Sequence, residues 1–411
     1  MSTRPQAAGT TRTKSGASAL LFRLWDHHLC DPRLVLGIYL LAAAVVTLIK
    51  IAPGDFVENG HLYQPLQNFA IFRNSFLHLI HGQDLYAAYP EEQWDLYRYS
   101  PAFGLLFAPF AVLPYAAGAI LWNIVNAAVL FAAAWALPWL DKRRPAQVLW
   151  FAFLALLTSL GNAQSNALIA GLMIGAYAAA ERRRPGVSAL LIVLAVCVKP
   201  FGIFALVPCA LIAGRERLIG WTVVWGSALA LLPLAVVSPA NLVQLYQNWF
   251  ATMNAFNKSR PGMSVMGLLS TWFGWNPPNN VVIAVGIAVL LAVTLVVCIR
   301  QRQSDSNIRL MTAASVIIFV TIFNYAAESP SYVIAVSGAA LWYFAQKPTL
   351  ANGVLLALVF LFSELSSSSI FPRDLRHDVF EPYVVKAVPC ILVWLKLQFD
   401  LLASTEAPTK A

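Results

Sequence analysis

Apolar residues in this chain come in runs that are too long and too closely spaced for a water-soluble fold. The segments 34–51, 115–140, 147–160, 163–180, 186–199, 201–213, 218–238, 281–300, 308–326, 330–346, 350–365 and 386–403 are nearly free of charge. In a hydrocarbon environment every backbone N–H and C=O must be satisfied inside the segment, which favours helices of about 20 residues. The pattern predicts an all-α, polytopic membrane protein of about twelve transmembrane helices, several shorter than a straight crossing requires. Composition agrees, with 59% hydrophobic and 11% charged residues, where a soluble domain carries about 25% charged residues.

The net charge of +9 suggests nucleic acid only until its distribution is read. The basic residues form short clusters between apolar runs, DKRR (141–144), ERRR (181–184), GRER (214–217) and RQR (300–302), on alternate loops. That alternation is the positive-inside pattern of membrane topology, and no nucleic-acid partner is expected. Residues 1–33 and 404–411 are expected to be cytoplasmic tails and 34–403 a single membrane unit, in the plasma (inner) membrane of its cell. The first 33 residues carry Arg4, Arg12, Lys14 and Arg23 and lack a short apolar core with a small-residue cleavage site, so a removed signal peptide is not expected.

With the N-terminus inside, the extracytoplasmic side receives residues 52–114, the GNAQSN turn (161–166), the Lys199-Pro200 corner, 239–280, the AAESP turn (326–330) and 366–385. The first of these is unlike the rest of the chain: polar, aromatic and acidic, with Asp55, Glu58, Asp84, Glu91, Glu92 and Asp95. Residues 66–80 place Leu66, Phe69, Ile71, Phe72, Phe76, Leu79 and Ile80 largely on one helical face, with Gln67, Asn68, Asn74 and His78 elsewhere, which predicts a helix lying in the membrane interface. Residues 101–114 are apolar but bounded by Pro101 and Pro114 and broken by Pro109, and read as a second surface or half-inserted helix.

Motifs exclude several chemistries. There is no GxxxxGK, GxGxxG, HExxH or GxSxG, which removes nucleotide hydrolysis, dinucleotide binding and zinc proteolysis. Cys30, Cys197, Cys209, Cys298 and Cys390 are widely spaced and form no CxxC. His61, His78, His81 and His377 have no ligand spacing on any one helix, so neither a metal nor a cofactor is expected.

The string HGQDLYAAYP, followed by LYRYSPAFGLLFAPFAVLP, resembles the signature region of glycosyltransferase family 87, with a Gly-x-Asp-x-Tyr element and then a Tyr-x-Pro element. The GNAQSN segment resembles that family's Gly-Gln-x-Asn stretch and VLAVCVKPFGIFALVP its Lys-Pro stretch, in the same order. The resemblance implies a GT-C architecture with interfacial helices in the first outward loop. It also implies transfer of a hexose, with mannose as the expected sugar, from a polyprenyl-phosphate donor to a lipid or glycan acceptor. The partners it implies are that donor, that acceptor and membrane lipids.

Such a transfer needs cations where negative charge grows on the leaving phosphate and one carboxylate to take the acceptor proton, by an inverting single displacement. For the phosphate the candidates are Lys199, Arg98, Arg373, Lys258 and Arg260. For the base they are Asp55, Asp84, Asp95 and Glu328, with Glu58 beside Asp55. Relatives use an acid early in the first loop. Here the expected position falls near Asn68, whose amide cannot accept a proton at ordinary pH. Asn68, Gln164 and Asn166, with the aromatic side chains Trp94, Tyr97 and Tyr99, are candidates to bind sugar. Two readings compete with the enzyme. A lipid or glycolipid transporter would bury acid and base within its spans and repeat internally, and neither feature is evident. A catalytically silent relative would bind lipid-linked glycan, in keeping with Asn68.

Overall fold

The computed structural model describes residues 29–403 apart from 59–60, 94, 140, 142, 213, 257–261, 301 and 369. Trp94, Lys258 and Arg260 therefore lie outside the described residues. The helices in chain order are α1 (Pro32–Ile51), α2 (Gln67–Ile80), α3 (Pro101–Leu106), α4 (Ala108–Ala111), α5 (Tyr115–Ala136), α6 (Arg144–Phe151), α7 (Phe153–Leu160), α8 (Asn166–Glu181) and α9 (Pro185–Val198). After a 3₁₀ turn (Pro200–Ala205) come α10 (Leu206–Ala210), α11 (Arg215–Leu231), α12 (Pro239–Phe256), α13 (Val265–Phe273), α14 (Asn279–Ile299), α15 (Ser306–Ile322), α16 (Tyr332–Phe344), α17 (Leu350–Leu358) and α18 (Val388–Ala403). One antiparallel hairpin interrupts the all-α pattern: β1 (Phe56–Glu58) pairs with β2 (His61–Tyr63), with Phe56 opposite Tyr63.

This is a helical membrane protein. Among the described residues five helical stretches are long and apolar enough to cross a bilayer: Pro32–Ile51, Tyr115–Ala136, Arg215–Ala235, Asn279–Ile299 and Leu350–Ser367. Four shorter apolar helical stretches accompany them. The set is smaller than the twelve crossings expected because α8, α9, α15, α16 and α18 are unbroken but short, at 16, 14, 17, 13 and 16 residues, and two runs are broken: 147–160 bends at Ala152 between α6 and α7, and 201–213 opens as a 3₁₀ turn at Pro200.

α5 packs on α1 and α8, α8 on α9 and α16, and α15 on α16 and α18. α15 is buried along nearly its whole length from Leu310 to Ile322, which makes it the central post. Small residues set the approach distances. A Cβ on Gly171 of α8 would come within 2.8 Å of the Leu130 nitrogen on α5, and one on Gly338 of α16 within 2.7 Å of the Ile318 side chain.

The helix predicted over 66–80 exists as α2, but it does not lie with one face free. Asn74 and His78 are buried as well as Phe69, Phe72 and Phe76, because α3 and α4 cover one side and the loop after α2 folds over the polar side. That loop is tied down by His78 Nε2 and Glu92 Oε2 at 2.8 Å and by the Asn74 amide donating to the Glu92 carbonyl at 3.3 Å. Phe72 then packs edge-on against Tyr99, Phe103, Phe107 and Trp122, joining the first loop to α5.

Candidate active site at the polar end of the bundle

Three connections deliver polar groups to one end of the bundle, and each has a local cause. Pro200 disfavours helical backbone at the residue before it, so α9 stops and Lys199 turns extended (φ −143°, ψ 127°). The turn before α8 passes through Ala163 with φ 47°, a left-handed conformation that a non-glycine residue holds only when its surroundings enforce it. The enforcing groups come from α5. Trp122 Nε1 donates to the Ala163 carbonyl at 2.9 Å, Asn123 Nδ2 to the Leu160 carbonyl at 3.0 Å, and the Leu168 amide to Asn126 Oδ1 at 3.0 Å. Glu328 caps the short 3₁₀ turn Ser329–Ser331. Its carboxylate accepts from the Ser331 amide while its own N–H donates to Ser331 Oγ at 3.3 Å.

These connections close around a cavity of about 420 Å³. A hydrogen-bonded chain runs along its wall. Lys199 Nζ donates to Asn166 Oδ1 at 2.7 Å, the Asn166 amide donates to Gln164 Oε1, and Gln164 Nε2 donates to Glu328 Oε2 at 2.9 Å. Asn166 is fully buried and its orientation is thereby set. Glu328 is exposed to the cavity mouth, whereas Lys199 is half-buried. Burial lowers the Lys199 ammonium to about 8, and the Glu328 carboxylate opposes that shift.

Also lining the cavity, Arg98 forms a bidentate pair with Asp95, at 2.8 and 2.7 Å, and its carbonyl accepts from Trp249 Nε1 at 3.2 Å. Burial raises the pKa of the Tyr99 phenol, so this cavity group is neutral at ordinary pH. Asn68 Nδ2 donates to the Asn162 carbonyl at 2.9 Å.

Of the residues expected from sequence, the cavity brings together Asn68, Asp95, Arg98, Tyr99, Gln164, Lys199 and Glu328, with Asn166 behind them. Among the described residues it does not include the others expected. Asp55 is exposed just ahead of β1, Arg373 is exposed in the helical turn before Leu375, and Asp84 lines a separate groove. Tyr97 is fully buried, with its hydroxyl donating to the Ser100 carbonyl at 2.8 Å, so its ring packs and does not face the cavity. Gln67, Met253, Asn324, Tyr325 and Ser331 line the cavity without having been expected there. All but Met253 neighbour a motif already singled out, and that adjacency was the available signal. Among the described residues no three His, Cys, Asp or Glu side chains converge as metal ligands would.

Fold and cavity define a polytopic membrane protein whose polar end holds a cation and a carboxylate on one hydrogen-bonded wall. A sequence model of glycosyltransferase family 87 matches residues 97–324, more than half of the chain, and the protein belongs to that family of membrane glycosyltransferases. Arg98, Tyr99, Gln164, Asn166 and Lys199 fall inside the matched stretch, and Asn68, Asp95 and Glu328 outside it. No curated protein matches the chain.

Proposed function

We propose that this glycosyltransferase moves a hexose, with mannose the first to test, from a polyprenyl-phosphate donor to a lipid or glycan acceptor at the extracytoplasmic face of the plasma membrane. The observation that carries the reading is the wall on which Lys199 and Glu328 are joined through Asn166 and Gln164. Lys199, with Arg98 in the same cavity, receives the anionic phosphate. The acceptor hydroxyl attacks the anomeric carbon from the other face, its proton passes to Glu328, and the bond to the phosphate oxygen breaks with its electron pair on that oxygen. One displacement inverts the anomeric centre. Glu328 is favoured as base because Asp95 is engaged by Arg98, while among the described residues the Glu328 carboxylate meets only neutral donors, the Gln164 amide and the Ser331 N–H. Asn68 then orients a hydroxyl and does not accept its proton.

Helix polarity supports the orientation. α8 runs from Asn166 beside the cavity to Glu181 beside the 181–184 basic cluster, about 22 Å away along its axis. α9 and α15 run the opposite way, starting near basic residues and ending at Lys199 and near Asn324. The cavity and the basic clusters therefore sit at opposite ends of the bundle, as an extracytoplasmic site with a cytoplasmic N-terminus requires. In this reading the short and broken helices complete about twelve crossings between them.

The test is transfer by protein in lipid nanodiscs from labelled polyprenyl-phosphate sugars into membrane lipid extract, comparing wild type with Lys199→Ala and Glu328→Gln. Loss of transfer in both variants, with folding intact, is the expected result. Full activity in Glu328→Gln refutes the base assignment, and donor binding without transfer from any sugar favours the silent relative.

A further inference from the structure

A second groove of about 260 Å³ opens beside the first loop, and Asp84 belongs to it. One wall is α12, which turns Asn241, Gln244 and Asn248 toward the groove at spacings of three and four residues, so all three lie on one helical face. The other wall is the turn Gly82–Asp84, which Gly82 makes with φ 69°. Leu79, Val237 and Leu245 supply the apolar part of its lining.

The polar groups are arranged as a ladder. Asn248 Nδ2 donates to Asp84 Oδ2 at 3.1 Å and Gln244 Nε2 donates to Asn248 Oδ1 at 2.7 Å. The second Asp84 oxygen accepts from the Tyr86 amide at 3.0 Å, which holds the carboxylate in place. The side chains of Asn241 and Gln83, both exposed at the groove, make no protein hydrogen bond among the described residues. Among the described residues no lysine or arginine lines the groove. Alternating amide donors and acceptors with one fixed carboxylate, beside an apolar patch and without cations, suit a neutral ligand rich in hydroxyl groups and not a phosphate.

We propose that this groove is a second saccharide-binding subsite, which holds a neutral sugar unit of the acceptor glycan next to the site of transfer. α12 links the two places: Asn248 lines the groove, Trp249 donates to the Arg98 carbonyl, and Met253 lines the larger cavity, about 7 Å further along the helix axis. The assignment to an acceptor rests on the transfer reading above, whereas sugar binding by the groove can be measured without it.

The experiment is saturation-transfer difference NMR on the full chain in nanodiscs with free neutral disaccharides: mannobiose, maltose and lactose. The variants are Asn241→Ala/Gln244→Ala/Asn248→Ala, Gln244→Leu to fill the groove, and Glu328→Gln as a marker of the larger cavity. The expected result is a signal for at least one disaccharide in wild type and Glu328→Gln that both groove variants lose, with unfolding temperatures unchanged. In the transfer assay the groove variants should then raise the acceptor KM about tenfold and leave the donor KM in place. No signal in wild type, or an equal signal in the groove variants, overturns the proposal. A groove signal in a protein that transfers no sugar refutes the transfer reading and leaves the subsite standing.

Discussion

Two lysine–glutamate couples occupy this bundle, and their surroundings give them opposite roles. Lys199 and Glu328 face a cavity of about 420 Å³, joined by two neutral amides. Lys386 and Glu364 are closed in the interior, 2% and 3% exposed. There Glu364 Oε2 accepts from the Ala155 amide at 2.8 Å, satisfying the first turn of α7, while Lys386 Nζ donates to Ser367 Oγ at 3.1 Å and lies over the Tyr332 ring. The closed couple spends its hydrogen bonds on the fold, whereas the open couple keeps polar surface for a ligand. The two are neighbours, because Ser367 also hydrogen-bonds Ser329, the residue after Glu328. Solvent access, and not residue type, separates a structural pair of charges from a candidate chemical one.

The sharpest way to break this comparison is to neutralise one acid from each couple. Glu328→Gln is expected to lower turnover about 10²- to 10⁴-fold, the range for a lost general base, with unfolding within about 0.5 kcal/mol of wild type. Glu364→Leu reverses the pattern. It strands the buried Ala155 amide and the Lys386 ammonium, at an expected cost of about 3–5 kcal/mol read as a lower unfolding temperature, part of which Glu364→Leu/Lys386→Met should restore. If Glu364→Leu is as stable as wild type but inactive, the closed couple belongs to the chemistry and the distinction fails.

Protonation sharpens the open couple. Burial brings Lys199 down to about 8, so its charge is present below that pH and lost above it. Affinity for an anionic donor should therefore fall about tenfold between pH 7 and pH 9, and Lys199→Arg, which stays charged, should flatten that profile. Donor binding that is flat over this range in wild type would remove Lys199 from the phosphate site. The smallest effect belongs to Asp95→Asn. The pair with Arg98 is about one-third exposed on both sides, so about 1 kcal/mol or less of stability is at stake, with a few-fold change in turnover. A collapse as deep as that of Glu328→Gln would transfer the role of base to Asp95.

The contrast also shows what a linear reading could find. Lys199 and Glu328 stand out because each breaks an apolar context beside a proline, and Gln164 and Asn166 because they form a polar turn between apolar helices. Glu364 lies in an apolar run, FLFSELS, and Lys386 opens the last one, and neither was singled out. The expectation that no acid is buried within a span is corrected by Glu364, which lies inside the candidate crossing Leu350–Ser367. Its partners Ala155 and Lys386 are distant in sequence and adjacent only after folding. The buried amides of α5 were missed for the same reason: Asn123 and Asn126 look like isolated polar residues in a span until the turn they hold is packed against them.

The sequence by itself determined that the chain is helical and membrane-embedded, where its basic loops fall, and which polar turns interrupt its apolar runs. Those properties follow from hydropathy and local backbone preference, which act over one element at a time. Tertiary structure alone decided that the turns before α8, after α9 and before α16 meet around one cavity, that Asp84 belongs to a different groove, and that Asp95 is engaged by Arg98. Which of several similar carboxylates stays free for chemistry depends on what packs beside it, and helices far apart in the chain supply those neighbours.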